Sequence, residues 1–117
     1  MGRLSKWRDQ YVVWHAGTFP IPAFSEGTVV REQILFAGRV QKVGFRLEIE
    51  TLANRLGLVG FAQNLEGGEV LAEVQGTEAQ IDYLIDCMCS LKRASVRYVK
   101  RKRIIIVDEE QAFCSRF

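Results

Sequence analysis

The alternation of apolar and polar positions becomes regular at residue 32 and stays so to the end of the chain. Residues 32–37 read as a strand running into a turn at Gly38. A short loop over 39–45 follows. Then Ile49, Leu52, Ala53 and Leu56 recur at helical spacing, with Glu48, Glu50, Asn54 and Arg55 between them. Gly57 stands just after the last apolar position, where a helix favours its C-terminal stop. Residues 58–64 form a second strand. Leu65-Glu66-Gly67-Gly68 is a hairpin connection into a third, over 69–75, in which Val70, Ala72 and Val74 alternate with Glu69, Leu71, Glu73 and Gln75. Thr77 and Gln80 have the spacing of a helix capping box, and Ile81, Leu84, Ile85 and Met88 continue it as an apolar stripe. Residues 96–107 supply a fourth strand and 112–117 a short fifth.

The order is strand–helix–strand–strand–helix–strand with a final short strand. Each helix has one apolar stripe, and both stripes need a surface to cover. A mainly antiparallel sheet with both helices on one face provides it, so the predicted class is α+β, a ferredoxin-like βαββαβ sandwich. Residues 1–31 fall outside this order. They hold both prolines (Pro20, Pro22) and both tryptophans (Trp7, Trp14) without a clear period. They read as an N-terminal extension, partly mobile or docked on the surface of a domain spanning 32–117.

Composition narrows the possibilities only modestly. The 117 residues suit one domain, and 48% hydrophobic with 26% charged is an ordinary globular balance. The apolar runs are too short to span a membrane or to serve as a signal peptide. The Met1-Gly2 opening lacks the Ser or Thr of a myristoylation site, because Lys6 stands there. The expected compartment is therefore the cytoplasm, with no membrane partner. Cys87, Cys89 and Cys114 are odd in number, and the C-x-C pair points to two sides of a helix; they are expected as free thiols. The net charge of +2 selects no partner, although Lys100, Arg101, Lys102 and Arg103 form a basic run.

The segment richest in chemistry is Gly38-Arg39-Val40-Gln41-Lys42-Val43-Gly44-Phe45-Arg46, between a strand and a helix. Such a loop can turn consecutive backbone N–H groups inward as an anion nest. The helix start adds unpaired donors and its positive dipole end. Arg46 adds a planar fork of donors matched to phosphate oxygens. On the residues alone the alternative stays open: a commonplace strand-to-helix turn with Arg46 solvated. Asn64, at a strand end before a turn, likewise suits an ordinary hairpin.

The same loop resembles the acylphosphatase signature, usually G-x-V-Q-G-V-x-F-R. Leu56-Gly57-Leu58-Val59-Gly60-Phe61-Ala62-Gln63-Asn64 is similar to the family's L-G-L-x-G-W-V-x-N, and Phe113-Cys114-Ser115-Arg116-Phe117 to its closing F-x-x-R-Y. The resemblance covers about residues 32–117. It implies hydrolysis of the carboxyl–phosphate bond of small acyl phosphates, with phosphate or sulfate as a site ligand. It assigns the phosphate to Arg46, the attacking water to Asn64, and the cradle to the amides of Arg39, Val40, Gln41, Lys42, Val43, Gly44 and Phe45. No metal and no cofactor are implied. The match departs at Lys42, where the family usually has Gly, and at Phe61, where it usually has Trp. If Lys42 needs positive φ, strain of roughly 1 kcal/mol follows, and the alternative is a catalytically weakened domain that binds an anion or a partner.

RNA-recognition domains share this element order, and the basic run invites the comparison. They need exposed aromatics on the central strands for base stacking. The third strand offers none, so nucleic-acid binding is not expected; the run reads as a solvated strand whose charges discourage edge pairing. Related domains also stand at the front of hydrogenase-maturation proteins. With nothing after Phe117, a free-standing enzyme is the expectation.

Overall fold

A computed structural model describes residues 3–116, with side chains from residue 6 onward. Phe117, the last residue of the closing motif, and the Met1-Gly2 opening lie outside the described residues. The elements are α1 (Arg3–Ala16), β1 (Val29–Arg39), α2 (Phe45–Arg55), β2 (Val59–Asn64), β3 (Val70–Thr77), α3 (Glu78–Cys89), β4 (Ser95–Ile104) and β5 (Phe113–Arg116). The five strands lie in the order β4-β1-β3-β2-β5. Every pairing is antiparallel except that of β2 with β5.

The register explains the core. Ile34 faces Ala72, and Ala72 faces Ala62, so one row crosses the centre of the sheet. All three are fully buried. Phe36, Val70 and Val74 lie on the same face. Against it pack Phe45, Ile49, Leu52 and Ala53 of α2 and Ile81, Leu84, Ile85 and Met88 of α3. This is the ferredoxin-like α+β sandwich. At the start of α3 both halves of the capping box form: Gln80 N donates to Thr77 Oγ1, and Thr77 N donates to Gln80 Oε1 at 3.1 Å.

Three features differ from the sequence reading. The expected turn at Gly38 is strand: β1 runs on to Arg39 because β4 pairs with it, with a register shift at Ala37/Gly38. Gly38 takes φ 130°, and a Cβ there would meet Ser95 O at 2.1 Å, so the bulge excludes a side chain. The fourth strand ends at Ile104, ahead of the expected 107. Within residues 1–31 lies a helix, α1, that the pattern did not predict. Its apolar residues ring the helix: Val12 and Ala16 are buried, while Trp7 and Trp14 stay about two-thirds exposed. Among the described side chains of α1 a single 3.6-residue stripe is therefore absent, although the inner face packs on α2.

Candidate functional site

The site forms where β1 hands over to α2. Residues 40–44 turn sharply between them. Gly44 is the N-cap of α2, at φ 75°, and Glu48 N donates to Gly44 O at 3.0 Å as the first helical bond. The amides ahead of Glu48 in that first turn have no intrahelical acceptor, and the positive dipole end lies behind them. Lys42 also has positive φ, at 63°, and is alone in this among the described non-glycine residues. Two left-handed residues separated by Val43 bend the segment around a concavity. A Cβ at Gly44 would lie 2.4 Å from Val12 Cγ2, so α1 sits directly against the turn and leaves room only for glycine.

The concavity measures about 350 Å³ and is lined by the loop residues Val40, Lys42, Gly44 and Phe45. Arg46 and Asn64 line it too, and Glu50 and Ser115 complete one side. Arg8 and Asp9 of α1 form part of its rim. Arg46 Nη1 donates to Arg116 O at 2.9 Å, which draws the guanidinium towards the end of β5. Asn64 ends β2 and is exposed. Ser115 Oγ donates to Glu50 Oε2 at 2.8 Å, holding that carboxylate aside.

Six of the predicted residues thus share one concavity: Val40, Lys42, Gly44, Phe45, Arg46 and Asn64. Arg39, Gln41 and Val43 are not in its lining. Arg39 ends β1 opposite Ser95 and lines a separate hollow with Gly67, Gly68 and Arg97. Gln41 acts through its side chain: Nε2 donates to Leu65 O at 2.6 Å and to Glu69 O at 2.8 Å, clamping the turn to the hairpin beside Asn64. Val43 directs its carbonyl oxygen to Arg93 Nε at 2.6 Å. Neither the clamp nor Arg93 was legible beforehand; both join residues far apart in sequence. No cluster of three or more His, Cys, Asp or Glu able to hold a metal occurs among the described residues. No described helix is long and apolar enough to cross a membrane.

Comparison with known proteins gives concordant matches. The family model described as Acylphosphatase matches residues 32–117. An acylphosphatase of Clostridium perfringens (strain 13 / Type A) is 49% identical over 53 residues, which is 45% of this chain and 60% of that protein. The chain thus spans about 60% of the length of that curated relative. The crystal structure of acylphosphatase from Bacillus subtilis superposes with a TM-score of 0.70 at 21% identity, covering 77% of this chain and all of the other, a likeness of fold. An acylphosphatase from Coxiella burnetii superposes with a TM-score of 0.70 at 27% identity, over 75% of this chain and 93% of its own.

Proposed function

Because the chain belongs to the acylphosphatase family, we propose that it hydrolyses acyl phosphates to a carboxylate and inorganic phosphate. The phosphoryl group sits in the turn between β1 and α2, held by backbone amides and the Arg46 guanidinium. A water bonded to Asn64 attacks phosphorus in line with the departing carboxylate. The P–O bond to the acyl oxygen breaks as the new P–O bond forms, and a phosphate oxygen takes the water's proton. A carboxylate leaves readily without a general acid, so the site has chiefly to position water and stabilise equatorial charge. Residues 1–31 are an addition to this catalytic unit. The reading assigns the protein to the cytoplasm, in keeping with three free thiols.

The observation that carries this reading is the convergence of Arg46, Asn64 and a turn with two left-handed residues on one concavity. Hydrolysis of benzoyl phosphate, followed by loss of ultraviolet absorbance without added metal, tests it. Arg46→Ala and Asn64→Ala should each lose about 100-fold or more of kcat, the scale of removing one preorganised charge-stabilising contact, with unfolding midpoints near wild type. Inertness of the folded wild type would end the enzymatic reading for this chain. Lys42 supports a second reading, a weakened member, since its side chain borders the seat at a strained backbone position. Recovery of activity in Lys42→Gly from an inert wild type would select that one.

A further inference from the structure

Arg93 lies between α3 and β4, outside the concavity and outside every motif singled out in the sequence. Its Nε donates to Val43 O at 2.6 Å, and its Nη2 donates to the Glu48 carboxylate. Glu48 is fully buried in the first turn of α2, and His15 Nδ1 of α1 lies 2.7 Å from its other oxygen. The Tyr11 ring of α1 covers the guanidinium at 5.7 Å from the centroid. Arg93 is thus held by a carboxylate, a ring and a carbonyl, and the carbonyl belongs to the phosphate turn.

The chain has no cis peptide among its described residues. In a trans peptide the carbonyl and the following N–H point opposite ways. With Val43 O drawn to Arg93, the Gly44 N–H faces away from Arg93, and Gly44 is part of the wall of the concavity that Arg46 and Asn64 share. Rotation of this one peptide would present a carbonyl oxygen to an anion where a donor is required. We propose that Arg93 is a positioning residue for the phosphate seat: it fixes the Val43–Gly44 peptide so that the Gly44 amide meets the phosphoryl group. The α1 helix keeps Arg93 in that pose through Tyr11 and, by way of Glu48, through His15. The proposal rests on the functional reading above for the identity of the anion, and extends it to a residue that touches no substrate.

The test is a titration of the full chain with inorganic phosphate, followed by the Gly44 amide resonance in ¹⁵N–¹H spectra. Thermal unfolding is measured alongside. Two variants are compared with wild type. Arg93→Lys keeps a cation for Glu48 but cannot bridge both acceptors as a planar fork. The double variant Glu48→Gln/Arg93→Gln removes both charges, so no orphaned buried carboxylate confounds the result. In wild type, phosphate should shift the Gly44 amide. In whichever variants fold, phosphate should bind about tenfold more weakly, the Gly44 shift should be largely lost, and KM for benzoyl phosphate should rise at least as much as kcat falls. A merely structural role would lower the unfolding midpoint and leave the phosphate-induced shift of Gly44 in the folded fraction intact; that result overturns the proposal. So does a wild-type Gly44 amide that ignores phosphate. Phosphate binding with the Gly44 shift but no hydrolysis would instead sink the enzymatic reading while sustaining this one.

Discussion

Lys42 is where one backbone angle sets a residue's worth. Its φ of 63° lies in the left-handed region, where a side chain costs about 1–2 kcal/mol. Glycine there would relieve that strain but lose about 0.5–1 kcal/mol to the greater freedom of its unfolded chain. Lys42→Gly should therefore stabilise by up to about 1.5 kcal/mol, seen as a higher urea midpoint at unchanged slope, while phosphate affinity falls a few-fold with the lost ammonium. A lowered midpoint would show that the lysine makes a compensating contact. Cys87 is 6% exposed, and burial pushes its thiol above the ordinary value, with Asp86 and Glu48 adding to the effect against an opposing hydrogen bond from Tyr83. The folded state thus keeps a proton that the unfolded chain releases. Its contribution to stability is complete below the ordinary thiol pKa and is lost as pH rises through the folded value. Urea midpoints should fall as pH rises above about 9, the ordinary value of the thiol, and less steeply in Cys87→Ala. The motif made Arg46, Asn64 and Lys42 visible as residues, but the sign of φ at Lys42 was not, because it depends on how far β1 extends before the turn.

Helix α1 depends on its neighbours more than on its own sequence. Among its residues with described side chains, only Val12 and Ala16 are buried, too little for a helix of this length to be stable alone. Its C-terminal end is gripped from α2: Arg55 Nη1 donates to Ala16 O at 2.7 Å and to Phe19 O at 2.8 Å. Arg55→Ala should cost about 1 kcal/mol locally and speed proteolytic cleavage within residues 1–28, while the 32–117 portion stays protected. Equal cleavage rates in both proteins would mean that Val12 and His15 hold α1 unaided. α2 and α3 were legible from their stripes, since each buries one face against a sheet. The helical nature of α1 was not, because its exposed tryptophans blur the period that burial would otherwise impose.

Across the whole molecule, the outer face of the sheet is closed by charge as well as by packing. Arg31, 2% exposed, bonds Glu73, Gln75 and Glu110. Gln75 in turn bonds both backbone groups of Val107. The segment between β4 and β5 is thereby pinned over the face that carries no helix, and β5 is delivered beside β2, where Arg116 O meets Arg46. Arg31→Leu leaves two half-buried carboxylates without their cation, and should destabilise by about 1–3 kcal/mol. Amide exchange over residues 105–112 should rise in the same variant. Unchanged exchange there would show that the segment is held by other contacts.

The amino-acid order by itself determined the two amphipathic helices, the strand sequence between them and the capping box at Thr77. Those features are local, written in spacing of three to four residues or in alternation, and they persist wherever a burying surface is supplied. Only the tertiary structure decided that β1 runs through Gly38, that Gln41 clamps rather than lines the turn, that α1 covers Gly44, and that Arg93 holds Val43. Each of these depends on contacts between segments tens of residues apart, and such distances leave no period in the chain.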